Sequence, residues 1–235
     1  MLPHFRFVSP FLLTVALPIG AASAKPVDWA AYVPSGWTLI GKTAEGKSAV
    51  LMIEQNDPTK RIKNDGLGAE VLNTNPRQLI FLSLDGARYR KTGSAENFLP
   101  PENSADSPCL LDPIEGRDLT LKKGVLTIRM QYFLSCGSYD VTNKTYKFRA
   151  EQGNYRLIGY DNSSFSRASL EGQSSSTNYL TNRRKRITGE RMDKDRGSPS
   201  EKTAWTKIPH EVFFLDAMNQ TACDDYESAP SWCGE

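Results

Sequence analysis

The sequence predicts a mainly β protein: a single antiparallel β-sheet domain, arranged as a meander or sandwich, with a short C-terminal helix. Three observations favour this fold class. Residues 125–133 alternate apolar and polar side chains with a period of two, as a strand with one buried face does. Residues 142–150 repeat the alternation, and tight turns join these segments to their neighbours. No linker or composition shift divides residues 25–235, so one domain is expected there.

Short apolar segments predict strands upstream of this meander. Residues 49–53 are apolar throughout, and residues 78–84 form a second apolar segment that ends at an Asp85-Gly86 hairpin turn. Residues 56–75 are polar and predict a loop. Residues 91–118 contain four prolines and predict an irregular connection, held at Cys109.

The meander itself begins with a hairpin over residues 119–133, turning at Lys122-Lys123-Gly124, and its third strand covers residues 155–160. Two polar, exposed strands are expected at residues 174–181 and 184–190, and a last strand at 205–208. Pro209 suits the first turn of a helix, so the short C-terminal helix is placed at residues 209–219.

The first 24 residues have the features of an export signal. Arg6 precedes an apolar segment at residues 7–19, and Ala22-Ser23-Ala24 supplies the small residues that signal peptidase requires. The apolar segment is shorter than the roughly 20 residues that span a bilayer. We therefore expect a signal peptide over residues 1–24, cleavage near Ala24, and a periplasmic or secreted chain that does not span the membrane.

Export favours disulfides among the four cysteines, which are Cys109, Cys136, Cys223 and Cys233. Three connectivities are open. Local pairing, Cys109 with Cys136 and Cys223 with Cys233, closes the shortest loops and is the one we expect. A structural zinc site is the alternative, but zinc sites favour a C-x2-4-C spacing, which is absent here.

Composition excludes several function classes. The chain has 29 Lys and Arg against 27 Asp and Glu, a net charge of +2, whereas nucleic-acid-binding domains are clearly basic. His4 lies in the signal, which leaves His210 as the only imidazole of the exported chain. Multi-histidine zinc sites are therefore excluded, and no G-x-S-x-G elbow supports a serine hydrolase. We expect a surface or capping role for His210, and no catalytic, metal or cofactor-binding residue is predicted.

Carboxylate pairs leave one enzymatic alternative. Glycoside hydrolysis needs only two acids, one of them with a raised pKa. The candidate acids are Glu115, Asp118, Asp140, Asp161, Glu171 and Glu190. Their separations do not follow from the sequence, so a cell-envelope hydrolase is kept as an alternative.

The densest charge run is Arg183-Arg184-Lys185-Arg186. Such runs occur in nuclear signals and nucleic-acid patches, but export argues against both. An exposed edge strand that charge keeps from pairing is one interpretation. The other is contact with an anionic surface such as lipid or peptidoglycan.

Residues 115–128, 146–149, 155–160, 178–181 and 188–190 resemble a group of exported proteins of Gram-negative bacteria, most of them periplasmic proteins without an assigned activity. The resemblance extends upstream through residues 34–37 and 76–79. Many members carry an acidic, calcium-loop-like stretch after the tryptophan. Here that region is residues 41–47, with Glu45 as its only carboxylate, so we expect no calcium. A looser similarity is to the periplasmic carbapenem-tolerance protein, a non-hydrolytic protective factor.

Together these features predict an exported, non-enzymatic binding or interaction protein of the cell envelope. Its partner would be an envelope protein or an anionic envelope component, contacted through the serine-rich and basic strands. The alternatives are the carboxylate-dependent hydrolase and a β-lactam protective factor, which the looser similarity implies.

Overall fold

The computed structural model describes residues 26–114, 119–193, 200–223 and 229–233. The chain divides into a unit that ends at Ala31 and a unit that begins at Tyr32. The signal peptide predicted over residues 1–24, its cleavage site included, lies outside the described residues. No helix in the described part of the chain is long and apolar enough to cross a membrane.

The second unit is mainly β with antiparallel pairing throughout, as predicted. The expectation of a single sheet is wrong, because the strands form sheets of four, seven and two strands. The strands of the four- and two-stranded sheets are β1 Trp37–Glu45, β2 Ser48–Gln55, β3 Arg61–Lys63, β4 Val71–Asn73, β5 Arg77–Asp85 and β6 Arg88–Leu99. The strands of the seven-stranded sheet are β7 Leu119–Lys122, β8 Val125–Phe133, β9 Asp140–Glu151, β10 Asn154–Ser166, β11 Glu171–Asn178, β12 Arg183–Arg191 and β13 Lys202–Lys207.

The four-stranded sheet has the order β1-β2-β5-β6. Residues 41–47, where we expected no calcium, form the end of β1 and its turn into β2. The predicted loop at residues 56–75 contains the small hairpin β3–β4, and β6 continues through residues 91–99, which we expected to be irregular. In both places the strands are polar and exposed at several positions, so the apolar alternation that predicts strands is absent.

The seven-stranded sheet is a meander in which each strand lies beside the next one along the chain, from β7 at one edge to β13 at the other. Two of its turns have paired positive φ values, at Lys123-Gly124 (53° and 71°) and at Gln152-Gly153 (51° and 81°). Such pairs match the twist of hairpin strands. Strand β10 runs through residues 161–166, so the serine-rich segment extends the sheet.

A bulge at Ile158 interrupts the pairing of β10 with β9, because Leu157 pairs with Phe148 and Gly159 with Lys147. The extra residue places Tyr155, Leu157 and Tyr160 on one face, and all three are buried. This face is called the inner face below.

The core lies between the two large sheets. One cluster of buried side chains includes Val50, Leu79 and Phe81 from the four-stranded sheet and Tyr146 and Phe148 from the seven-stranded sheet, among others. Aromatic edges meet aromatic faces across it: the ring centroids of Phe81 and Tyr155 are 4.9 Å apart and those of Phe98 and Phe148 are 5.6 Å apart.

The predicted C-terminal helix over residues 209–219 is wrong. Residues 209–214 are extended, and among the described residues the only helical ones near them are the 3-10 turns Leu215–Ala217 and Gln220–Cys223. The extended segment pairs with β10: Leu157 N donates to Phe213 O over 2.9 Å, and Arg156 forms a bridge with Phe214. Because the sheet edge satisfies these backbone groups, a helix is not needed to do so.

Both disulfides have the local pairing, Cys109 with Cys136 and Cys223 with Cys233. The second one lies near the end of a segment that we call the C-terminal strap, residues 208–223 and 229–233. Leu215, Met218 and Trp232 of the strap are buried in the core cluster. The strap therefore covers part of the inner face of the seven-stranded sheet.

Candidate functional site

The face of the seven-stranded sheet opposite the inner face carries the candidate site. Strands β8 to β13 contribute to it, and their registers align side chains in three rows that cross all six strands. We call this surface the three-row face. Its first row is Gln131, Asn143, Ser163, Ser174, Ile187 and Thr203; its second is Arg129, Thr145, Asp161, Ser176, Lys185 and Trp205; its third is Thr127, Lys147, Gly159, Asn178, Arg183 and Lys207.

The rows are polar and cationic. They contain five cations and one carboxylate, Asp161, a difference of +4. Nine of the eighteen positions carry hydroxyl or amide side chains, five of them in the first row and two in each of the others. Since neighbouring strands lie about 4.8 Å apart, each row spans roughly 24 Å. The face is therefore long enough to hold an extended ligand.

A groove of about 410 Å³ lies in the middle of this face, and residues of the first and second rows line it. Asp161 lines it, and both of its carboxylate oxygens are engaged. Lys147 Nζ is 2.6 Å from Oδ2, and Ser176 Oγ donates to Oδ1 over 2.6 Å. These two contacts fix the orientation of the carboxylate. Gly159 adds no side chain to the third row, which lets the Lys147 chain pass beside it.

Two cations of the groove region are placed differently from Lys147. No carboxylate among the described residues lies within ion-pair distance of Lys185, which lines the groove. Arg183 lies over the ring of Trp205, 4.8 Å from its centroid, at the β13 end of the face. Trp205 remains 57% exposed. The groove thus has a cation in its wall, and the β13 end of the face carries an exposed aromatic ring.

Strand alternation divides the predicted basic run. Arg183 and Lys185 belong to the three-row face, whereas Arg184 and Arg186 are on the opposite face of β12. Arg184 Nε donates to Thr177 Oγ1 over 2.9 Å, and its Nη2 donates to Ser231 O over 3.1 Å. Arg184 therefore holds the strap against the sheet. Sequence could have revealed this division, because period two follows once a strand is assigned.

The inner face beneath the strap is rich in tyrosine. Burial raises the pKa of Tyr132 and of Tyr155 to about 12, and it raises the pKa of Tyr160 further. Lys144 also lies here: its Nζ donates to Cys233 O over 3.3 Å and is 5.2 Å from the Tyr132 ring centroid. Burial lowers the pKa of Lys144. Lys144 and Tyr160, whose hydroxyl donates to Cys233 O over 3.4 Å, join the strap to the sheet.

The remaining predicted acids are dispersed. Asp140 and Glu171 line a cleft at the far end of the strands, Glu190 lines another, and Asp161 is in the central groove. Glu115 and Asp118 lie outside the described residues. His210 is exposed, with Nδ1 3.3 Å from Asn182 Oδ1. Among the described residues, no group of three His, Cys, Asp or Glu side chains is placed to hold a metal ion.

A buried ionic cluster around Arg77 escaped the sequence predictions. Its guanidinium forms a bidentate pair with Asp112 (2.6 and 2.9 Å) and a 2.9 Å bond to Glu54 Oε2. Burial acts to lower the pKa of Arg77, but these carboxylates outweigh it and raise the pKa. Asn73 donates to Glu54 and to Glu102, so the carboxylates are satisfied as well. The cluster joins β2 and β5 to the connection after β6, which contains Asp112. Among the described residues, it leaves no open site.

Comparison with known proteins gave no match to a family model, a curated protein or a solved structure. The resemblance to exported Gram-negative proteins thus stays a prediction.

Proposed function

We propose that this chain is an exported, non-enzymatic binding protein of the cell envelope, and that it contacts an anionic envelope component through the three-row face. Two disulfides indicate an oxidising, extracytoplasmic environment. Periplasmic location and the envelope partner are parts of the proposal.

The segregation of charge carries the proposal. Residues 119–193 contain 13 Lys and Arg against 6 Asp and Glu, a difference of +7, whereas residues 37–114 contain 9 against 10, a difference of −1. A chain of net charge +2 thus gathers its positive charge in the seven-stranded sheet. A surface with this potential attracts anions over about a Debye length, roughly 8 to 10 Å at physiological salt.

Binding rather than catalysis is supported by the state of Asp161. Its oxygens are already engaged by Lys147 and Ser176, as a positioned recognition group is. Polar groups held in place before binding cost less to order when the ligand arrives.

The proposal is tested by titrating the protein with linear polyphosphate at increasing salt, using isothermal calorimetry. The double variant Arg183→Ser/Lys185→Ser removes two cations of the face, each worth about 1 kcal/mol near an anionic surface. We expect affinity to fall roughly 30-fold. Affinity of the wild type should also fall as salt rises.

The matched control is Arg88→Ser/Lys91→Ser, which removes the same charge from exposed positions of the four-stranded sheet. We expect it to retain most of the affinity. Equal losses in both variants, or no binding by the wild type, would contradict the proposal. Cleavage of an envelope glycan by the protein would instead favour the hydrolase alternative.

A further inference from the structure

We infer that the ligand of the three-row face is a carboxylate-bearing polysaccharide, an inference that rests on the proposed function. It concerns the chemical class of the anion. A phosphate polymer and an acidic glycan both satisfy the positive charge, but they differ in the hydroxyl groups that they present to the sheet.

The hydroxyl and amide side chains between the cations favour the glycan. Ser163 and Ser174 are directly opposite each other on β10 and β11, and both line the groove. Within the described residues, neither hydroxyl has a hydrogen-bond partner, so both can donate to and accept from a ligand. A surface that recognised charge alone would have no use for paired groups of this kind.

Asp161 points to the same class. The Asp161 carboxylate, which lines the groove, repels both kinds of anion, but it accepts hydrogen bonds from hydroxyl groups, which an acidic glycan presents and a phosphate polymer lacks. Such charge-assisted bonds are the stronger ones. Lys147 and Ser176 already hold it in one orientation. A ligand with many hydroxyls and dispersed carboxylates fits this combination, because two strands from Asp161 the face presents Lys185 in the same row and Arg183 in the next row.

The shape of the site favours a chain over a lipid surface. Ser163 and Asp161 line a groove in the sheet, and a single polymer chain can follow a groove, whereas a planar bilayer presents a flat surface. At the β13 end, the exposed ring of Trp205 offers an apolar platform on which the carbon face of a sugar ring can stack.

The test uses three probes and one charge-neutral variant. The probes are polygalacturonate, which has carboxylates and hydroxyls; dextran, which has hydroxyls alone; and polyphosphate, which has charge alone. The variant is Ser163→Ala/Ser174→Ala. Its control is Ser48→Ala/Ser83→Ala, also a directly opposed serine pair, located on β2 and β5. Circular dichroism and urea unfolding check that both variants fold.

We expect Ser163→Ala/Ser174→Ala to bind polygalacturonate about tenfold more weakly, the effect of two lost neutral hydrogen bonds, and to bind polyphosphate as the wild type does. The control should change neither, and dextran should bind far more weakly than polygalacturonate. Polygalacturonate binding that the variant leaves unchanged would overturn the inference, as would dextran binding as tight as polygalacturonate binding. In either case polyphosphate binding would still support the proposed function, which fails separately if polyphosphate does not bind.

Discussion

The two faces of the seven-stranded sheet are built from neighbouring residues and have opposite roles. On the inner face, one row across the strands is Ile128, Tyr146, Tyr160, Thr177, Arg184 and Thr206. One residue further on in β8, β10 and β12, and one back in β9, β11 and β13, lies the second row of the three-row face. The inner row packs against the core and strap, while the outer row presents charge and hydroxyls. The difference predicts that stability and binding can be altered independently.

The largest expected contrast is between two tryptophans on the two sides of the sheet. Trp232 is 2% exposed and packs in the core, with its ring centroid 6.4 Å from that of Phe98. Trp232→Ala should lower the free energy of unfolding by about 3 to 5 kcal/mol, because it removes a large buried side chain. Trp205→Ala should cost no more than about 1 kcal/mol, the value of its contact with Arg183.

Urea denaturation of both variants measures this contrast, and polygalacturonate titration of Trp205→Ala gives the complementary readout. Similar stability losses in the two variants would show that the outer face also supports the fold.

The next effect is a loss of stability at high pH that belongs to the inner face. Burial raises the pKa of Tyr155 from 10 in the unfolded chain to about 12 in the folded one. A raised folded pKa means that the stabilisation is complete below pH 10 and is lost as pH rises toward 12. At pH 12 the loss from this tyrosine reaches about 2 kcal/mol.

Urea midpoints between pH 8 and 12 follow this loss. Tyr155→Phe should flatten the decline, whereas Tyr139→Phe, at a position 63% exposed, should leave it unchanged. An equal decline in wild type and Tyr155→Phe would place the alkaline sensitivity elsewhere.

The smallest contrast compares two adjacent arginines. Arg184→Met removes charged hydrogen bonds to Thr177 and Ser231, which should cost about 2 kcal/mol of stability. Arg183→Met should cost at most about 1 kcal/mol. For polyphosphate affinity the order should reverse, with Arg183→Met the weaker binder. If one variant loses more of both stability and polyphosphate affinity than the other, the assignment of stability to the inner face and binding to the three-row face is wrong.

Local features of the fold followed from the sequence. The alternation in residues 125–133 and the Lys123-Gly124 turn predict β8 and its hairpin, and short loop closure predicts the two disulfides. The predicted helix at residues 209–219 failed because Pro209 is compatible with a helix start but does not require one. The hydrogen bond from Leu157 to Phe213, which decides the conformation, joins residues 56 positions apart.

The sequence predicted some residues of the candidate site but not how they are arranged. The serines and the basic run were recognised, but the rows depend on which residue of each strand is opposite which, and registers are long-range properties. The Arg77 cluster was invisible for the same reason, since Glu54 and Asp112 are 23 and 35 residues from Arg77. Asp161 was one candidate acid among six until its neighbours Lys147 and Ser176 were known.

The bulge at Ile158 determines which residues of β10 face the groove. The groove therefore depends on the number of residues in β10 more than on which residue occupies position 158. Tyr179 N donates to Ile158 O, so the position contributes its backbone to the sheet. Substitutions at Ile158 keep the residue count, and therefore Asp161 and Ser163 still face outward. Deletion of this one residue would put the strand out of phase, turning Asp161 toward the strap and Asn162 toward the groove. Among homologous proteins, we expect selection to remove insertions and deletions near this bulge, even where the residues at the bulge vary.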